Sequence, residues 1–149
     1  MEIKELGHVV LYVRDLARSR HFYGEILGFP ELPAGELPGA AAFSTGRTHH
    51  ELLLIEVGPD ATPIPNGRRV GMYHIGLKVG DSDDELRAVV NELAAAGVDI
   101  AGASDHTVTH SLYLHDPDGN EIELYVDVES ADWRSDPSLF NAPIRPLRL

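Results

Sequence analysis

The segment HTVTHSLYLHDPDGNEIELY, residues 106–125, carries three histidines, two tyrosines and two glutamates, although a β-hairpin needs none of them to form. One glutamate, Glu123, lies inside a strand-like run. Two further histidines stand at equivalent points of two similar stretches, His8 in LGHVVLYV and His74 in YHIGLKV. A single strand histidine is usually a hydrogen-bonded structural residue. Equivalent placement in two copies, with a glutamate on a third strand, points instead to a ligand set. The chain has no cysteine, so any metal must be held by imidazole and carboxylate. His8, His74 and Glu123 match the two-histidine, one-carboxylate pattern, which leaves positions free for substrate and oxygen. The same donors also suit Zn²⁺, Mn²⁺ or Ni²⁺, so the set alone does not choose the metal.

These side chains require strands of defined parity, because alternate residues point to opposite faces. In residues 6–13, Val9, Leu11 and Val13 are the helix-packing set, leaving His8 on the opposite face. Asp15 caps a helix expected to run to about Gly28, with Leu16, Tyr23, Ile26 and Leu27 at helical spacing. Strands are expected near 29–35 and 40–46, and a clearer one in HHELLLIEV, residues 49–57. Its packing set reads as Leu53, Ile55 and Val57, which would turn His50, Leu52 and Leu54 toward a cleft.

The stretch GPDATPIPNGRRVG, residues 58–71, resists regular structure and reads as a linker. The order then repeats. Ile75, Leu77 and Val79 pack, while His74, Gly76 and Lys78 face away. Ser82 and Glu85 have capping-box spacing before a helix with Leu86, Val89, Val90 and Leu93 on one face, and Gly97 suits its end. Strands near 98–104, 108–115 and 121–127 follow, with DPDG, residues 116–119, as a type I turn. In the last strand Ile122, Leu124 and Val126 pack, so Glu121, Glu123 and Tyr125 share the other face; Glu121, beside the turn, reads as solvent-exposed.

The expected fold class is α+β. Two βαβββ modules, about 5–57 and about 72–127, form a cleft-shaped, half-open barrel within a single domain spanning 1–149. A linker (58–71) joins them and a tail (128–149) follows.

A net charge of −12 repels phosphate backbones and anionic membranes, so nucleic acid is not an expected partner. The start MEIKELGHVV lacks the features of a signal peptide, and no apolar run approaches a membrane span. A cytoplasmic location is the expectation.

The paired modules resemble the vicinal oxygen chelate superfamily, which includes glyoxalases, fosfomycin-resistance enzymes, bleomycin-sequestering proteins and extradiol dioxygenases. Within it, His106, Leu112-Tyr113, Asp116-Pro117, Gly119 and Glu123 are similar to the extradiol ring-cleavage signature; Ser104 departs from the residues usual there. The tail DWRSDPSLFNAPIRPLRL also resembles that of small single-chain catechol dioxygenases. The resemblance implies Fe(II), with Mn(II) as the alternative, held by His8, His74 and Glu123. It implies O₂ as cosubstrate, a catecholic aromatic substrate and a homodimer or higher oligomer.

It further implies that His106 and Tyr113 hydrogen-bond the substrate. His50 falls where such enzymes carry an acid–base histidine, with His49 the weaker candidate. Surface or strand-end places suit His110 and His115, and His21 reads as structural or exposed. The rival within the superfamily is a glyoxalase-like lyase, isomerase or thiol transferase, in which Glu51 or Glu56 would matter if the parity of residues 49–57 were reversed. A drug-sequestering protein would need the cleft but no metal.

Overall fold

Val9, Leu11 and Val13 alternate with exposed Val10 and Tyr12, and this pattern makes the first strand, β1 (Val9–Val13). The computed structural model describes residues 1–33 and 38–149. They fall into two compact units, Met1–Pro65 and Asn66–Leu149.

In the first unit Asp15 caps α1 (Leu16–Arg20), its carboxylate accepting from the Arg18 N–H at 2.9 Å. The helix then widens into a π-helical stretch, His21–Ile26, marked by a Leu27 N–H to Phe22 carbonyl bond of 2.9 Å. Gly28, at φ 66°, ends it in the left-handed conformation. The extra residue per turn changes which side chains face inward. Phe22 and Tyr23 are both buried, whereas Leu16, Ile26 and Leu27 are only partly so.

The strands β2 (Ala40–Phe43) and β3 (Leu52–Glu56) complete a sheet of order β1-β3-β2, with β1 and β3 parallel. Of the strand expected near 29–35, residues 34 and 35 lie outside the described residues. The described part makes one antiparallel bridge, Glu31 to Phe43. Pro30 and Pro33 flank it and supply no N–H to extend a ladder.

The register corrects the parity expected for β3. Leu52 lies opposite Val9 and Leu54 opposite Leu11, and parallel partners share a face. Leu52 and Leu54 are 4% and 0% exposed and belong to the core with Leu11, Val13, Tyr23 and Phe43; they do not wall a cleft. Leu53 and Ile55 stand opposite Val10 and Tyr12 on the other face. Each fully buried leucine contributes roughly 1.5–3 kcal/mol by leaving water.

The second unit repeats the order with all its strands formed. It contains β4 (His74–Gly80), α2 (Asp83–Ala95), β5 (Gly102–Asp105), β6 (Thr109–His115) and β7 (Glu121–Asp127). A short edge strand, β8 (Arg145–Pro146), is added by the tail, giving the order β4-β7-β6-β5-β8. The Ser82 hydroxyl accepts from the Glu85 N–H at 3.3 Å, and the Glu85 carboxylate reaches back to the Asp81 N–H at 2.8 Å. Hydrogen bonds from Asp81 and Ser82 hold the Glu85 carboxyl below its usual range. Leu86, on the inner face of α2, packs with Leu112 and Val126, and Leu147 of the tail joins this cluster. The turn after β6 closes through Gly119 N–H to the Asp116 carbonyl at 3.0 Å.

Candidate functional site

In the second unit, pairing places β4 and β7 side by side with His74 opposite Glu121 and Gly76 opposite Glu123. His74, Gly76, Glu121, Glu123 and Tyr125 therefore share one face. His74 Nε2 lies 3.2 Å from Glu123 Oε2, and its Nδ1 lies 3.3 Å from Glu121 Oε1. Gly76 keeps this corner open, since a Cβ there would sit 3.4 Å from Glu123 Oε2. β6 brings in Tyr113, opposite Glu123, and its hydroxyl donates to Glu123 Oε1 at 3.2 Å. His106 Nε2 lies 2.6 Å from the same hydroxyl. That histidine sits in the β5–β6 connection, which is shaped by Thr107 at φ 71° and by the Asp105 carboxylate accepting from the Thr107 N–H at 2.7 Å.

His106, Tyr113, Glu123, His74 and Glu121 thus form one continuous polar chain. With the Tyr113 proton directed at Glu123, His106 is the donor to Tyr113. Burial, reinforced by Glu123, pushes the Tyr113 phenol up to about 12, so it remains protonated at neutral pH. Glu121 was expected in solvent, but its side chain is only 20% exposed and it faces His74. A carboxylate on one ring nitrogen fixes the proton there and leaves the other nitrogen free to ligate. The signal was present in the sequence as the shared parity of Glu121 and Glu123, two residues apart on one strand.

In the first unit His8 precedes β1 and His50 precedes β3. Their ring centroids are 4.4 Å apart, and His49 lies 5.9 Å from His8. His49 Nδ1 and His50 Nδ1 are 2.6 Å apart, so one of them carries the shared hydrogen. Burial, with His8 and His49 adding, holds His50 below the usual imidazole range and so neutral near pH 7. His50 is half-buried and His49 exposed. His50 therefore lies beside His8, although the parity argument that pointed to it fails.

Reversed parity also brings Glu51 into question. Its carboxylate accepts from the Thr45 N–H at 2.6 Å and the Thr45 hydroxyl at 2.7 Å, and it pairs with Arg47 at 3.2 Å. Glu56 is tied to the start of α1, accepting from the Leu16 N–H at 2.8 Å. Of the remaining histidines, His110 is half-buried and bonded to Asp83 at 2.5 Å, which gives it a structural partner rather than a surface position. His115 is exposed, and His21 is exposed and paired with Glu25.

The donor chemistry of the second unit suits a divalent metal. Two donors each about 2.1 Å from one ion at a right angle lie about 3.0 Å apart, close to the 3.2 Å between His74 Nε2 and Glu123 Oε2. Among the described residues, no group of three or more His, Asp or Glu side chains gathers around one point to hold a metal. His74 and Glu123 thus present two donors at a spacing that suits one divalent ion. They line a cavity of about 470 Å³ in the same unit, together with His106, Tyr113, Trp133 and Phe140.

Residues 5–124 match the family model of the Glyoxalase/Bleomycin resistance protein/Dioxygenase superfamily. The chain is 35% identical over 135 residues to a catechol-2,3-dioxygenase of Bacillus subtilis, covering 91% of this chain and 46% of that protein. It is 29% identical to biphenyl-2,3-diol 1,2-dioxygenase 3 of Rhodococcus globerulus, covering 82% and 63% respectively. The chain thus spans about half to two thirds of the length of these relatives. Among solved structures, a glyoxalase/dioxygenase from Nostoc punctiforme superposes with a TM-score of 0.69 at 26% identity, over 85% of this chain and 92% of that one.

Proposed function

Since the chain belongs to the Glyoxalase/Bleomycin resistance protein/Dioxygenase superfamily, we propose that it is an extradiol dioxygenase, opening the ring of a catechol-type aromatic with O₂. The observation that carries this reading is the chain His106–Tyr113–Glu123–His74–Glu121, four members of which line an aromatic-walled cavity. Similarity to relatives named as ring-cleaving dioxygenases supports it.

His8, His74 and Glu123 would hold Fe(II), or Mn(II), which when bound supplies a Lewis acid for both catechol oxygens and an open position for O₂. Glu121 orients His74 by accepting a hydrogen bond from its Nδ1–H. In the free protein the Tyr113 hydroxyl donates to Glu123 and His106 donates to Tyr113; substrate would redirect these donors to its own oxygens, Tyr113 keeping its proton because of its raised pKa. His50, held neutral by burial and by neighbouring His8 and His49, would take the proton released from a catechol hydroxyl. His49 is its hydrogen-bonded neighbour.

The glyoxalase-like reading is the second, favoured by the β3 register, which turns Glu51 to the face opposite the core. Against it, Glu51 is already held by Thr45 and Arg47.

Iron stoichiometry after anaerobic loading tests the ligand set. Native protein should bind one Fe(II) per chain, and Glu123→Ala and His8→Ala should each lose it. Full iron in either variant would remove that residue from the site.

A further inference from the structure

The tail is pinned at both ends. Val128 N–H bonds the Val108 carbonyl at 3.0 Å, and Arg145 and Pro146 pair with Asp105 and Ser104 of β5. Leu147 then packs on the Leu86–Leu112–Val126 cluster. Between these anchors Asp132 binds Ser135, and Asp136 caps the short helical turn Pro137–Asn141. Trp133 meets Phe140 edge-on at a centroid distance of 6.1 Å. The segment is thus a strap anchored at both ends and braced between them.

Apart from the polar chain, the cavity wall is built largely from Val108, Tyr125, Trp133, Phe140, Ala142 and Ile144, and four of these six come from the strap. Its volume of about 470 Å³ falls within the usual range for small-molecule sites, roughly 300–1,000 Å³. One catechol ring would leave much of it to water, against a wall that gains by excluding water.

Charge narrows the choice further. Among the described lining residues there is no Lys or Arg, while Glu123 and Asp127 are acidic. Lys78 lies beside Asp127 at 2.7 Å and also pairs with Asp81, so its ammonium is already held between two carboxylates. Arg134 stacks on Trp133 at 4.4 Å and is not among the lining residues. In the metal-free protein a carboxylated ligand would bring a third anion to this wall, with no Lys or Arg among its described lining residues to receive it.

We infer that the strap between Val128 and Leu147 is the specificity wall of this cavity, and that it selects uncharged catechols bearing an aryl or similarly bulky apolar group over carboxylated ones. This rests on the ring-cleavage reading for the word catechol, while the wall's preference can be measured without turnover. The chain has one tryptophan, Trp133, so 5-fluorotryptophan labelling gives a single ¹⁹F signal that belongs to the wall.

The full chain, without added iron, is titrated with 2-hydroxybiphenyl, phenol and 2-hydroxybenzoate. The expected order is 2-hydroxybiphenyl tightest, phenol at least about tenfold weaker and 2-hydroxybenzoate weakest. Phe140→Ala should narrow the gap between the two-ring and one-ring probes; the residue is 66% exposed, so truncation spares the fold. Ile144→Lys, at a site 65% exposed, should raise affinity for 2-hydroxybenzoate. No shift of the ¹⁹F signal with 2-hydroxybiphenyl, or equal binding of the charged and uncharged probes, would overturn the inference. Saturable, selective binding without ring opening in an iron-loaded assay would uphold the wall while removing the dioxygenase reading.

Discussion

Truncating Leu54 separates the two parities of β3. Its side chain is 0% exposed and lies opposite Leu11 in the register. Leu54→Ala removes three carbons from a site bounded by β1, β2 and α1, and such losses cost about 2–5 kcal/mol when a cavity remains. The sheet holds Leu54 between strands on both sides, so little collapse is available and about 3 kcal/mol is expected. For a chain of this size each 1 kcal/mol moves Tm by about 2–4 °C, which gives a fall of about 6–12 °C. With m near 2 kcal/mol/M, the urea midpoint should drop by about 1.5 M at unchanged slope. Ile55→Ala, on the opposite and half-buried face, should cost distinctly less. The assay is urea unfolding of both variants, followed by circular dichroism. If Leu54→Ala lost under about 1 kcal/mol while Ile55→Ala lost more, the register-based assignment of the core face would be refuted.

Other outcomes follow from the same geometry. His50→Ala should keep its iron and lose about 10²–10⁴ in turnover; unchanged turnover would remove His50 from proton transfer. Glu121→Gln should weaken Fe(II) affinity about 10–100-fold through misorientation of His74, as read by competition with a chelator, and native affinity would reduce the contact to packing. Ser82→Ala should cost about 1 kcal/mol by uncapping α2, measured by urea unfolding. The folded Glu85 carboxyl titrates below its unfolded value of 4.5. Its stabilisation is therefore complete above that value and is lost as pH falls through the lower folded one. Glu85→Gln should flatten that part of the stability profile, and an unaltered acid limb would contradict the assignment.

How much of this was legible in the residues follows from local pattern. β1 alternates cleanly between apolar core residues and exposed Val10 and Tyr12, so its face could be read. Ser82, Glu85, Gly97 and the turn at 116–119 each carry their own local chemistry, and they formed where the residues placed them. β3 could not be read in this way. Leu52 through Ile55 is apolar at every position, so only the pairing with β1 reveals which side is inward. The π-helical stretch after α1 shifted the buried set to include Phe22, because helical spacing assumes a constant turn. β8 contains Pro146 and pairs only at an edge, where a strand pattern is weakest.

Candidate site residues were legible through parity on β4 and β7, where Gly76, Lys78 and the alternating glutamates break the apolar run. Glu121 was misjudged because nearness to a turn was given more weight than its place opposite His74. The strap's role in walling the cavity had no periodic signal at all, since its order comes from Asp132, Asp136 and the pairing of β8.

The most direct measurement is anaerobic loading with Fe(II), followed by addition of aerated catechol or 2,3-dihydroxybiphenyl, with oxygen uptake and visible absorbance followed together. The account predicts a yellow ring-opened product formed in step with one O₂ consumed per ring. Bound iron with neither product nor oxygen uptake on either substrate would contradict it.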